Sequence, residues 1–433
     1  MLIFTDHSVI VDKYAIYFRR EKNIPMRLSI PNEAKHIITN LARAGYSAYM
    51  VGGCVRDSLM GLMPKDWDIA TSAEPTAIKR LFTHTVDTGI KHGTVTVVIN
   101  RCNYEVTTFR IDGEYQDGRR PESVAFTNSI EDDLSRRDFT MNAIAYNHQS
   151  GLVDPFGGAE DIAKKNIRCV GNAEHRFTED ALRMMRALRF AAQLGFSIDP
   201  NTISAIPPLA ERLGLVSIER VRDELTKLMS SANPHVLPLV EESGLWPYVL
   251  RGMTFSGKLD KIAMMLETCP KEPAMLYALL LKEEKKSVGA FLRHLRFDNN
   301  TINKTVLYVN WLDVPIPNDR YAIKKALADM GMESFVNLLT LKSIIYPFYP
   351  ISPTAPQESW DRQRATAENI LKYGECFTLK ELDISGQDLI EAGILPGKEM
   401  GQIMANLLDM VMQYPCLNKK AFLLQYACEL HSV

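Results

Sequence analysis

No CxxC pair, no cysteine–histidine cluster and no apolar run long enough to cross a bilayer occur in this 433-residue sequence. Each absence removes a class. The seven cysteines are dispersed and odd in number, which fits reduced thiols and excludes a disulfide framework or a clustered zinc site. Asp6, Asp12 and Lys13 interrupt the first 25 residues, so no signal-peptide core forms there. Without a membrane-length segment, a cytoplasmic protein with no membrane partner is expected. An excess of one charge sign is missing too: the net charge is −2, so any nucleic acid would have to be held by local patches. There is no low-complexity tract and no repeat of fixed period.

What is there is ordinary in bulk and specific in detail. Hydrophobic residues make up 46% and charged residues 24%, the composition of a globular protein. The length suggests two to four domains, at roughly 100–200 residues each. Residues 1–25 read as a non-essential extension or a start-site artefact. An amphipathic helix is expected around Glu33–Arg43. Tyr49–Val51 reads as a strand running into Gly52-Gly53, followed by a helix over Val55–Met60. Trp67–Ala70 reads as a second strand, and Pro75 suits the first turn of a helix over Thr76–Phe82. Val95–Asn100 and Tyr104–Arg110 pair around Arg101-Cys102-Asn103. Ile111–Pro121 is a polar loop. Beyond Cys169 the chain reads as successive amphipathic helices, with a linker at Pro347–Pro356.

The most informative stretch is Gly52-Gly53-Cys54-Val55-Arg56-Asp57 followed by Asp66-Trp67-Asp68-Ile69. On a strand, residues two apart share a face, so Asp66 and Asp68 would project together. Two convergent carboxylates can hold Mg2+ against triphosphate oxygens. The glycine pair lets backbone N–H groups approach phosphate, with Arg56 adding charge. A third carboxylate is expected on a neighbouring strand, and Glu105 is the candidate. Taken alone, the aspartate pair reads as a wet strand edge and the glycine pair as an ordinary turn; the motifs together point to the site.

These residues resemble the polymerase-β nucleotidyltransferase superfamily. Further motifs, namely Arg136-Arg137-Asp138-Phe139-Thr140-Met141-Asn142-Ala143, Asp154-Pro155-Phe156-Gly157-Gly158 and the run Glu179–Phe190, are similar to those of the tRNA nucleotidyltransferase and bacterial poly(A) polymerase family. Ile384–Leu389 resembles the tail of bacillus-type CCA-adding members. The resemblance is dense from Tyr46 to Phe196 and thin beyond. It implies an α+β fold: a polymerase-β-like head (a mixed sheet with helices) followed by an all-α neck, body and tail. The divisions expected are 26–166 (head), 167–230 (nucleotide-selecting neck), 231–350 (helical body) and 351–433 (tRNA-binding tail). It implies Mg2+ on Asp66 and Asp68, and nucleotide contacts from Gly53, Arg56, Arg137, Asp180, Arg183, Arg186 and Arg189. The expected substrates are CTP, ATP and the tRNA 3′ end, with no obligate protein partner. No His-Asp dipeptide occurs, so the metal phosphohydrolase domain of longer members is not expected.

Asp180, Arg183, Arg186 and Arg189 recur every three residues and would form a drifting ridge on one helix. Cytosine and adenine each present an amino donor beside a ring acceptor, so one carboxylate and one guanidinium can pair with either. Uracil and guanine place a carbonyl and an N–H there and are mismatched. Thr178 capping a helix whose first turn holds Glu179 and Asp180 is the plainer alternative. Three rivals remain: addition of CC alone, poly(A) synthesis, and a non-catalytic RNA-binding scaffold. The segment Ile111–Pro121 is shortened in the resembling CC-adding enzymes and is present here. The stretch Thr88–Val95 lacks the arginine-rich signature of the poly(A) polymerases. His92 and His175 read as structural. The pairs Lys164-Lys165, Lys285-Lys286 and Lys324-Lys325 read as solvated faces or phosphate contacts.

Overall fold

The structure, a computed structural model, describes residues 28–90, 93–113, 124–349 and 357–431. The expectations placed on residues 1–25 and His92 lie outside these. So do those on residues 114–121 of the polar loop and 350–356 of the proline-rich segment. The chain divides into two compact units at Gly252/Met253.

The first unit is built on a mixed seven-stranded sheet. Helix α1 (Asn32–Arg43) buries Ala34, Ile37, Ile38 and Leu41, the spacing of a single apolar face. Strand β1 (Ala48–Val51) leads into α2 (Gly53–Leu59), and β2 (Asp68–Thr71) is followed by α3 (Pro75–Leu81). The edge strand β3 (Thr85–Gly89), β4 (Thr94–Ile99) and β5 (Cys102–Thr108) come next. A small β6–β7 pair (Arg110–Asp112, Val124–Phe126) precedes α4 (Ile130–Ser135), and β8 (Ala145–Asn147) with β9 (Gly151–Val153) completes the sheet. Its order is β3-β4-β5-β2-β1-β8-β9, with β2 parallel to β5 and the other neighbours antiparallel.

The β4–β5 turn is tighter than the sequence suggests. Ile99 pairs with Cys102, and Asn100 and Arg101 take φ of 51° and 65°, the two-residue turn that matches strand twist. Strand β3 was not expected, because Val86 is its one apolar side chain and its residues are mostly exposed and show no alternation.

Asp154 accepts from the backbone N–H groups of Gly158 (2.7 Å) and Ala159 (2.9 Å) at the start of α5 (Gly158–Ala163). A Cβ at Gly158 would lie 2.0 Å from the Thr140 carbonyl oxygen. The Asp-Pro-Phe-Gly-Gly stretch is thus a packing device that seats α5 against the segment 140–142.

Helices take over after this point. Helix α6 (Ala173–Glu179) is capped by Asn172, which accepts from the N–H of His175, a backbone role for the segment holding that histidine. Helices α7 (Leu182–Leu194), α8 (Pro200–Ser204) and α9 (Ile218–Met229) follow, and α7 packs on α9.

The second unit is helical throughout its described residues. One core gathers Ile323, Phe335, Ala367, Ile370, Phe377 and Met412, and another Leu389, Ile403, Leu407, Val411 and Leu423. Lys324, one of the lysines considered for phosphate contact, is buried and bound to Glu375 at 2.8 Å and to the Met412 carbonyl at 3.2 Å. Among the described residues no helix is long and apolar enough to cross a membrane.

Candidate active site

The register of β2 against β5 sets Asp68 opposite Glu105. Both side chains are exposed. Asp66 does not share the strand as expected: it lies in the bend before β2, which begins only at Asp68. The carboxylates still interact. The surrounding protein raises the pKa of Asp68 by desolvation, the negative charge of Glu105 adds to this, Arg137 opposes it, and Asp66 raises it further. Charge on Asp68 is therefore disfavoured by its surroundings. Among the described residues no three His, Cys, Asp or Glu side chains form a metal site by themselves. A divalent ion would take two carboxylates here and complete its shell with phosphate oxygens and water.

The turn into α2 lies beside these carboxylates. Gly52 has φ 75°, a conformation that favours glycine, and donates its N–H to the Ile144 carbonyl. A Cβ there would sit 2.8 Å from Arg137 Nη1. Arg137 donates from Nη2 to Asp133 at 3.1 Å, while its buried Nε has no partner. Arg56 is turned inward. It donates to Asp57 Oδ1 from Nε (2.8 Å) and Nη2 (2.7 Å), donates to Asn142 Oδ1 from Nη1 (2.7 Å), and lies over the Phe190 ring. Cys54, next to the glycines, is no nucleophile: burial pushes its thiol up to about 11.

The arginine ridge differs from expectation at its start. Asp180 is not on the helix with the arginines. It ends α6 with extended backbone (φ −140°, ψ 102°), and α7 begins at Leu182. Thr178 lies within α6 and is no cap. Asp180 accepts from the Leu182 N–H (3.1 Å) and from Arg220 Nη2 (2.8 Å). Arg183, nearly buried, donates to Glu179 (2.6 Å) and to the carbonyls of Arg136 (3.0 Å) and Arg176 (3.2 Å).

Arg186 donates to Asp138 Oδ2 from Nε (2.8 Å) and Nη2 (2.5 Å). Arg189 pairs with buried Glu224 at 2.8 Å and stacks on Phe190 at 3.5 Å. Burial would raise the Asp138 carboxyl, but Arg186 and Asn142 together hold it well below the usual range. The structure thus brings Asp66, Asp68, Glu105 and Arg137 together at the sheet, and Asp180, Arg183, Arg186 and Arg189 along the α6–α7 junction.

Asp138, Arg220 and Glu224 were missed as site residues. Glu224 had a signal in the sequence. It falls on the apolar face of α9 beside Val221, Leu225 and Leu228, where a charge requires a partner.

Residues 48–168 match the "Poly A polymerase head domain" family, residues 195–255 the "Probable RNA and SrmB- binding site of polymerase A", and residues 271–427 domain 2 of tRNA nucleotidyltransferases. The CCA-adding enzyme of Geobacillus kaustophilus is 39% identical over 393 residues, spanning 88% of this chain and 91% of the relative. That of Geobacillus stearothermophilus is 40% identical over 385 residues, with the same coverage. The crystal structure of the Bacillus stearothermophilus CCA-adding enzyme in complex with CTP superimposes with a TM-score of 0.79 at 34% identity, covering 92% of this chain and 97% of that one.

Proposed function

The chain belongs to the CCA-adding enzymes, a family of tRNA nucleotidyltransferases, and from that premise we propose that it adds C, C and A in turn to the tRNA 3′ end. The substrates are CTP and ATP, no nucleic-acid template is used, and pyrophosphate leaves at each step. The observation that carries this reading is the pairing of Asp68 with Glu105 across β2 and β5, with Asp66 beside them and Arg137 linking them to the Gly52 turn.

Asp66 and Asp68 would hold Mg2+, with Glu105 as the third carboxylate of the site. Magnesium bound there would neutralise triphosphate charge and favour ionisation of the attacking 3′ hydroxyl. Gly53 would offer backbone N–H at the phosphates, with Arg137 as their cation. Asp180 accepts from the exocyclic amino group of the base, and Arg183 donates to the neighbouring ring nitrogen. Arg183 makes that bond by giving up part of its present pairing with Glu179. Arg56, Arg186 and Arg189 are proposed to border the rest of the nucleotide, each steadied by its carboxylate or amide partner.

In this reading residues 26–166 form the head, 167–230 the neck, 231–350 the body and 351–433 the tail, with tRNA along the helical parts. Cytoplasmic tRNA is the expected pool. The test is to offer transcripts ending at the discriminator base with CTP and ATP singly and mixed, and to sequence the products. CCA ends support the reading. Products that stop at CC, or long A tails, refute it.

A further inference from the structure

The face of the sheet that carries the carboxylates continues past them as a polar surface. Glu105 and Thr107 lie two apart on β5 and so share one side of the sheet, while Tyr104, Val106 and Thr108 on the other side are buried. Thr107 stands opposite Ala70 on β2 and opposite Thr94 on β4. The Thr94 and Thr107 hydroxyls are 3.0 Å apart, and both side chains are half-buried. Asp68, Glu105, Thr107 and Thr94 thus line one face from β2 to β4.

A threonine pair across two strands commonly does no more than stabilise the sheet. The order of the strands gives this one a second use. With the triphosphate held at the Gly52-Gly53 turn, pyrophosphate leaves on the β1 side of Asp68. Attacking and leaving oxygens stand roughly in line at the transferred phosphorus. The 3′ hydroxyl of the tRNA therefore comes from the opposite side, where β5 and β4 lie. Its ribose then rests on the face that holds Glu105 and, about 7 Å further along the strand, Thr107.

Each threonine hydroxyl has one proton and two lone pairs. Pairing uses one of the two protons, and among the described residues neither hydroxyl has another partner. The pair keeps a donor and acceptors, which suits a ribose hydroxyl that both donates and accepts.

We propose that Thr107, oriented by Thr94, binds the 2′ hydroxyl of the tRNA's terminal ribose, so that the protein extends RNA ends in preference to deoxyribose ends. This rests on the reading of Asp66, Asp68 and Glu105 as the metal site. A 2′-deoxyribose would leave the threonine pair without its partner, and the 2′ hydroxyl is the group by which a protein tells RNA from DNA.

The experiment measures kcat/KM for the tRNA in the full-length protein at saturating ATP. Two tRNAs ending in CC are compared, one with a terminal ribocytidine and one with a terminal 2′-deoxycytidine. Wild type should prefer the ribose end by at least about fivefold, the scale of one hydrogen bond. Thr107→Val keeps the branched shape and removes the hydroxyl, so it should slow the ribose end alone and abolish the preference. Thr107→Ser should retain the preference, and Thr94→Val should weaken it. Thr88→Val breaks the similar Thr88–Thr96 pair (2.9 Å) between β3 and β4 and should keep the preference of wild type.

Equal use of both ends by wild type, or an unchanged preference in Thr107→Val, would overturn the proposal. So would an equal loss in Thr107→Ser, or in Thr88→Val, which would trace the effect to the sheet. If Asp68→Asn retains turnover, the metal-site reading falls and this role with it. If Asp68→Asn is inactive and Thr107→Val keeps the preference, only the role of Thr107 falls. Should Thr107→Val not fold, Thr94→Val decides: a weakened preference supports the role, and an unchanged one overturns it.

Discussion

Arg186 reaches Asp138 with two hydrogen bonds to the same oxygen, from Nε at 2.8 Å and Nη2 at 2.5 Å, tying the 136–143 segment to helix α7 across 48 residues of sequence. Asp138 also accepts from the Phe139 N–H and from Asn142, whose own oxygen receives Arg56. One buried carboxylate thereby joins the turn region of the head to the helix that carries Arg183.

Asp138→Asn should therefore destabilise the protein by about 3 kcal/mol, the usual cost of stranding one partner of a buried ion pair. The sign with pH follows from the depressed pKa of Asp138. Its contribution is fully present above the unfolded value of about 3.9 and is lost as pH falls through the lower folded value. Denaturant titrations of wild type and variant should show a constant stability gap near neutrality that narrows below about pH 4. A gap that widens with acid would contradict the assignment.

Asp68→Asn should have opposite effects on activity and stability. Nucleotide addition should fall by several orders of magnitude, since a proposed metal ligand is lost. The metal-free protein should be slightly more stable, because the variant removes a charge that desolvation and Glu105 disfavour. The gain should be on the order of 0.5 kcal/mol, since the side chain is solvent-exposed and screened. Thermal unfolding in the presence of a chelator measures it, and a clear loss of stability would contradict this account of the carboxylates.

Gly158→Ala should cost more than about 3 kcal/mol, in the range reserved for forced backbone movement. The added carbon would meet the Thr140 carbonyl oxygen at 2.0 Å, and no side-chain rotation relieves a clash with backbone. Gly151→Ala is the control, with positive φ but no atom within 4 Å of the new carbon. It should cost about 1 kcal/mol from backbone conformation alone. Equal losses in the two variants would show that packing at Gly158 is not the constraint.

The parts of the fold legible in the sequence were those with local causes. The apolar spacing of α1, the proline that opens α3 and the β-rich runs of β4 and β5 all act within a few residues, and all four elements form close to where the pattern places them. A carboxylate was expected at Glu105 on a strand neighbouring the aspartates, and β5 does run beside β2 with Glu105 opposite Asp68. What escaped depended on partners far along the chain. Asp180 leaves the arginine helix because its carboxylate accepts from the Leu182 N–H and reaches Arg220, 40 residues away. Strand β3 exists through its pairing with β4 and has no apolar face of its own. Arg56 turns inward because Asp57, Asn142 and Phe190 are there to receive it, and only the fold assembles those three.

The central claim, that protein side chains choose the nucleotide, is tested most directly by Arg183→Lys. The measurement is kcat/KM for all four nucleoside triphosphates on tRNA ending in CC, in wild type and variant. Lysine keeps the positive charge and loses the planar fork that can turn from Glu179 to a base edge. The account predicts that the ratio of ATP to GTP and UTP falls by at least about tenfold, equivalent to ~1.4 kcal/mol of lost discrimination. Unchanged ratios, with all four nucleotides slowed alike, would contradict it and reduce Arg183 to a source of charge.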